Sequence, residues 1–281
     1  MSATDTTTER PGASRSLLSG STLSRTSGLG LGITMIWFSL LVLIPLAAII
    51  VTASEGGWQN FWHAITTEQT AHAIRLTVTA AIVVTLINVV VGTAIAWVLV
   101  RDRFIGAAVL DVIIDIPFAL PTIVAGLVLL SLYGHDSPLG IDVANTSASV
   151  FLAFLFVTLP FVVRAVQPVL EELDHEVEEA AASLGASRLT TLRRVILPAL
   201  APAIASGAAL SFARAIGEYG SLVLLSGNLP FTSEVASVRI LSAVENDNPA
   251  GAASVATLLL VVSLVVIVAL DVIQRRVTRR G

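Results

Sequence analysis

Few residues in this chain could do chemistry, and two absences narrow the field first. All sixteen basic residues are arginine; lysine and cysteine do not occur. Without lysine there is no phosphate-binding loop ending in Gly-Lys and no Schiff base. Without cysteine there are no disulfides, thiolate zinc sites, iron–sulfur clusters or thiol nucleophiles. The four histidines, His63, His72, His135 and His175, stand on separate segments without ligand spacing, and no serine lies in a Gly-x-Ser-x-Gly elbow. No catalytic set, metal site or cofactor is therefore expected. Two charge patterns remain. Acids Glu171, Glu172, Asp174, Glu176, Glu178 and Glu179 precede the basic Arg188, Arg193 and Arg194, and Arg214 and Glu218 stand four apart in an apolar stretch.

The elements that must carry these charges belong to a membrane chain. Of 281 residues, 55% are hydrophobic and 13% charged, where a soluble domain carries about 25% charge. Apolar runs near the ~20 residues that cross a bilayer recur at 31–53, 76–100, 116–134, 147–163, 195–213 and 250–270. A membrane barrel would show alternating ten-residue segments instead, and helices satisfy their backbone groups internally. The expected fold class is an all-α membrane protein with six transmembrane helices. The net charge of −4 gives no electrostatic footprint for nucleic acid.

Thirteen of the sixteen arginines fall before the first run, after the second, between the fourth and fifth, or after the sixth. The positive-inside rule then puts both termini, and the acid-rich loop, in the cytoplasm. Trp58 and Trp62, after the first run, suit the opposite interface. Residues 1–28 contain thirteen Ser or Thr and read as a disordered cytoplasmic tail, which we bound at 1–30. Val51-Thr52-Ala53 has the look of a signal cleavage site, but the run before it exceeds the 7–15 residues of a signal core, so it is expected to remain as a membrane helix.

The long loop at 167–198 is where a partner would bind. Its acids suit a helix start and Gly185 a helix end, giving a short helix followed by a second one that enters the fifth span. A solvated amphipathic linker would fit that pattern equally well. The spacing adds more: EAAASLG at 179–185, nine residues, then VILP at 195–198 resembles the EAA signature of binding-protein-dependent ABC importer permeases. The segments DIPFALPTIVAG at 115–126, TLPFVVRAVQP at 158–168 and SFARAIGEYG at 211–220 resemble the sulfate/molybdate branch of that family. The six-span form with a leader is similar to its T-type sulfate/thiosulfate members.

The resemblance covers residues 33 to 273 and implies a type I importer permease architecture, with the permease domain at 74–273 and tails outside it. It also implies the partners: a W-type permease as heterodimer mate, a dimer of ATP-binding subunits, an extracytoplasmic sulfate-binding protein and membrane lipid. In that setting Glu179, Ala180, Ala181 and Gly185 are the expected ATPase-coupling positions, and ATP hydrolysis belongs to the partner. The implied cargo is sulfate, and thiosulfate with it; molybdate or tungstate is the alternative oxyanion. Arg214 and Glu218 either line the translocation path or simply neutralise one another inside the bundle. Pro117 and Pro121 are either a structural kink or a hinge beside the path. Asp111 and Asp115 are expected to face the bundle or a partner. Asn88 is expected to donate a hydrogen bond between helices, and Gly92 with Ala96 gives spacing for close packing. A secondary transporter would need more intramembrane carboxylates than these and recognisable internal repeats, and the sequence shows neither.

Overall fold

Pro117 and Pro121 produce the largest departure from the pattern expected of the sequence. The computed structural model describes residues 25–278, all of whose regular elements are helical. Where one span at 116–134 was expected, two helices stand, Ala107–Ala119 and Thr122–Tyr133, bent by 117°. The cause is local. Pro117 lacks a donor inside the first helix, and Pro121 forces the residue before it out of the helical region; Leu120 sits at φ −85°, ψ 135°. The break is far sharper than a kink.

The chain divides into two units, Met1–Ala47 and Ala48–Gly281. The first unit carries most of helix α1, Leu29–Ser54, interrupted by a five-residue π-turn at Ser39–Leu43. Ile33, Ile36, Trp37 and Leu41 on it are all exposed, as an apolar helix in lipid would be. Helix already begins at Arg25, inside the expected tail, and residues 1–24 of that tail lie outside the described residues.

In the second unit α2 is Gly57–Thr66, α3 Glu68–Arg101, α4 and α5 the two bent helices, and α6 Ser147–Glu172. Helix α7 is His175–Ser183, α8 Arg188–Ile216, α9 Gly220–Leu225, α10 Ala236–Glu245 and α11 Pro249–Thr278. Five helices are long and apolar enough to span a membrane, six if the bent pair counts as one span. The fourth continues through Arg164 to Glu172 rather than stopping at 163, and the last continues into the residues expected as a C-terminal tail.

Glycines set the spacing of the bundle's centre, α3, α6 and α8. A Cβ on Gly92 of α3 would stand 2.9 Å from the Val162 Cβ, and one on Gly207 of α8 would stand 2.9 Å from the Val162 Cα. Val162 of α6 is thus gripped from both sides, and small residues supply the close approach that drives helix association in lipid. One helical turn away, Asn88 donates to Thr158 Oγ1 at 2.8 Å and to Ser211 Oγ at 3.5 Å. That buried polar layer ties the same three helices, as expected of Asn88. Phe154, Phe212, Leu222 and Leu225 are buried together on one side of this layer, and Val166, Leu170 and Leu200 on the other.

Candidate functional site

Helix α7 is built to stand as a separate short rod. Asp174 caps its start, accepting from the Glu176 amide at 3.0 Å, and Glu176 and Glu178 occupy the first turn, where the helix dipole favours negative charge. At its far end the Ala186 amide donates to Ala181 O at 3.0 Å and the Gly185 amide to Ala182 O at 2.9 Å. This pair of bonds is a Schellman ending. It needs a left-handed residue, and Gly185 has φ +81°. No atom lies within 4 Å of the position a Gly185 Cβ would take, so backbone conformation alone demands glycine there.

The expected coupling residues therefore lie on α7 and at the glycine that closes it. Glu179, Ala180 and Gly185 are exposed and Ala181 half-buried. Leu184 is 89% exposed, with Val177 and Leu189 also exposed beside this helix. An apolar tip rimmed by acids suits contact with another protein surface better than contact with water.

Arg101 holds the rod in place. At the end of α3 its guanidinium meets Glu178 Oε1 at 2.8 Å, donates to Leu173 O at 3.2 Å and lies over the Trp97 ring at 6.0 Å. In the sequence Arg101 counted only as a topology marker. Its pairing with Glu178 joins residues 77 positions apart, and nothing in the local pattern announces it.

The second expected pair forms, but not on one helix. Arg214 Nη1 meets Glu218 Oε2 at 2.6 Å, yet α8 ends at Ile216 and Gly217 turns the chain. Glu218 lies past that end and is 1% exposed. Its other oxygen accepts from the Ser221 amide and hydroxyl, both at 2.8 Å, so it caps α9 as well as neutralising Arg214. The pair sits at the end of α8 remote from α7, about 40 Å away at 1.5 Å per residue.

The proline break lies against this corner. A Cβ on Gly220 would collide with Thr122 Oγ1, and one on Gly126 would stand 2.8 Å from the Ser221 Cα. Two glycines thus let α9 lie directly on α5, just after Pro121, which is itself exposed. The segments 115–126 and 211–220, far apart in sequence, meet here. Pro117 stands apart, inside α4.

Helix α4 is fastened by a further arginine. Arg164 of α6 donates from Nε and Nη2 to the two carboxylate oxygens of Asp115, at 2.8 and 2.7 Å. From Nη1 it also reaches Asp111 Oδ1 at 2.7 Å and Gln167 Oε1 at 2.6 Å. Asp111 and Asp115 therefore face the bundle. The planar fork of Arg164 fits a bidentate carboxylate as lysine could not. Among the described residues no group of three or more His, Asp and Glu is placed to hold a metal.

The family model described as "Binding-protein-dependent transport system inner membrane component" matches residues 88–280. The sulfate transport system permease protein CysT of Salmonella typhimurium is 40% identical over 275 residues, which cover 95% of this chain and 97% of that protein. The Synechocystis protein of the same description is 42% identical over 250 residues, 86% of this chain and 87% of its own. Among solved structures, a bacterial alginate ABC transporter in complex with its alginate-bound periplasmic protein matches at a TM-score of 0.73 and 20% identity, covering 89% of this chain and 94% of that one. The MetNI methionine ABC transporter in an inward-facing form matches at 0.56 and 18%, over 74% of this chain and 95% of that one.

Proposed function

Because this chain belongs to the binding-protein-dependent transport system inner membrane component family, we propose that it is one permease half of an ATP-driven importer of sulfate, with thiosulfate as a second cargo. The observation that carries the substrate is the 40% identity to a sulfate permease along 95% of the chain. The chain spans the membrane several times and does no covalent chemistry; ATP hydrolysis belongs to a separate subunit. Its mate is a W-type permease, its energy source a dimer of ATP-binding subunits, and its cargo arrives on an extracytoplasmic sulfate-binding protein. Both termini and α7 face the cytoplasm, in keeping with the arginine asymmetry.

Helix α7 then inserts into a cleft of the ATP-binding subunit, with Glu179, Ala180, Ala181 and Gly185 at the contact and Leu184 at its apolar tip. A push on α7 passes along α8, which follows it directly in the chain, and helix shifts of this kind are a common means of transmitting domain closure. The remote end of α8 carries Arg214, and the next turn carries Glu218 and the α9–α5 contact beside Pro121. Movement of α8 therefore reaches the place where an anion would pass. Sulfate is a dianion that loses hydration on entry, which costs several kcal/mol at least. A guanidinium whose charge is partly offset by Glu218 lowers that barrier without trapping the ion, and conduction needs release as much as binding.

The test is sulfate-limited growth and ATP-dependent sulfate uptake in a strain lacking its own sulfate permease, complemented with this chain and its W-type mate. Uptake is expected with the pair and not with either alone. Molybdate uptake without sulfate uptake would reject the assignment.

A further inference from the structure

A cavity of about 330 Å³ with a mixed polar and apolar lining opens at the end of the bundle remote from α7, between α2, α10 and the starts of α3 and α11. The transport reading leaves it unused. Arg239 of α10 lines it, with Asn60, His63, Thr67 and Asn248 around it. Arg239 is half-buried and donates from Nε to Thr70 Oγ1 at 3.2 Å; among the described residues it forms no ion pair. The nearby buried carboxylate of Glu234 is engaged by Gln69 Nε2 at 2.7 Å instead. The rest of the Arg239 guanidinium fork thus borders this hollow without an ion-pair partner among the described residues. Glycines keep the hollow open: a Cβ on Gly56 would stand 2.8 Å from the Asn60 amide nitrogen, and one on Gly251 would stand 2.5 Å from that of Asn248.

The neighbouring space is almost wholly apolar. An apolar groove of about 420 Å³ adjoins the cavity, shares Ala53 and Phe61 with it, and is otherwise lined by residues such as Ile50 and Trp58. Trp58 stacks on Phe61 at 5.6 Å and on Trp62 at 6.1 Å, and it is 75% exposed. Stacked tryptophans at the end of a spanning helix sit at headgroup level. A guanidinium without an ion-pair partner, with Asn60, His63 and Asn248 around it and an apolar groove adjoining, fits one molecule with an anionic head and a hydrocarbon tail. Guanidinium forks match phosphate oxygens in geometry as well as charge.

We propose that Arg239 holds the phosphate of an anionic phospholipid headgroup in this cavity, with the first part of an acyl chain in the Trp58–Phe61 groove. The lipid would fasten α2 to the α10–α11 corner.

The assembled transporter, purified in mild detergent with equal amounts of phosphatidylglycerol and phosphatidylcholine, would be assayed by native mass spectrometry for retained lipid. Wild type should retain phosphatidylglycerol selectively. Arg239→Gln should lower that retention about tenfold, the scale of a lost charge-assisted hydrogen bond, while Arg239→Lys should lower it less. Should Arg239→Gln fail to assemble, Trp58→Ala, at an exposed position, carries the test and must lower retention of the same lipid. Equal retention in wild type and either Arg239→Gln or Trp58→Ala overturns the proposal. So does displacement of the lipid by millimolar sulfate, which would make the hollow a site for the free oxyanion.

Discussion

Replacing Arg101 by Gln tests whether α7 is held as a rod for energy coupling. The substitution removes the guanidinium and its charge and leaves a shorter, neutral amide that cannot reach Glu178 as arginine does. The Arg101 and Glu178 side chains are 8% and 26% exposed and meet at 2.8 Å. Exposed pairs contribute about 0.2–1 kcal/mol, whereas breaking a fully buried pair costs about 3–5 kcal/mol. This pair lies between those limits, and the water reaching Glu178 brings the figure toward the lower one, to about 1–2 kcal/mol. Such a loss raises the undocked fraction of α7 by a factor of about 5–30. Amide exchange in the assembled transporter reads that fraction directly, because local opening governs exchange. Peptides covering 175–184 should exchange faster by that factor, peptides covering 150–163 should not change, and ATP-driven sulfate uptake should fall. Glu178→Gln should have a similar effect, and the double variant should be little worse than either single one, the mark of a direct pair. Unchanged exchange at 175–184, or effects that simply add in the double variant, would refute the reasoning.

Three further outcomes follow from the geometry. Gly185→Ala, with no steric clash at its Cβ, should cost about 1 kcal/mol through the left-handed backbone alone; uptake should drop and be restored largely by Gly185→Asn, and equal behaviour of the two variants would sink the capping argument. Gly207→Val drives a branched side chain into the Val162 backbone; the chain should fail to give a monodisperse complex on gel filtration, while Gly207→Ala should assemble with its thermal midpoint lowered by a loss of about 1–3 kcal/mol. Arg214→Ala should still assemble, with a lowered thermal midpoint, and lose most sulfate uptake in proteoliposomes, because buried Glu218 would then face the anion without its counter-charge; full uptake would leave the pair a purely structural neutralisation.

What the sequence made legible follows from the range of each interaction. The boundaries of α7 could be read because each cause is local: an aspartate cap, acids in the first turn, and a glycine in the only position where a left-handed residue closes the helix. Asn88 and Gly92 could be read as packing positions because an amide or a missing Cβ in an apolar run has few uses. The four-residue spacing of Arg214 and Glu218 gave the pair but the wrong support. Helical spacing also brings together a last-turn residue and one just beyond the turn, and the weak breaker Gly217 between them did not reveal the helix end. Pro117 and Pro121 announced a break, but not its 117° size, since that depends on where the next helix finds something to pack on.

That packing surface is the step no local pattern contains. Thr122 and Gly126 of α5 rest on Gly220 and Ser221 of α9 only because glycine on each side allows backbone contact. The same contact seats Glu218, whose second oxygen is then committed to Ser221. Arg214 thereby pairs with one carboxylate oxygen of Glu218 at 2.6 Å, while its side chain stays 31% exposed. The charge at this corner is therefore set by α5 as much as by α8. A Gly126→Ala variant, whose methyl group would press on the Ser221 backbone and alter neither charge, should disturb the Arg214–Glu218 pair and reduce sulfate uptake, whereas the same change at Gly32, with nothing within 4 Å, should not. Equal uptake by the two variants would mean that the bent pair and the charge pair are independent, and that α5 does not help to set the anion's passage.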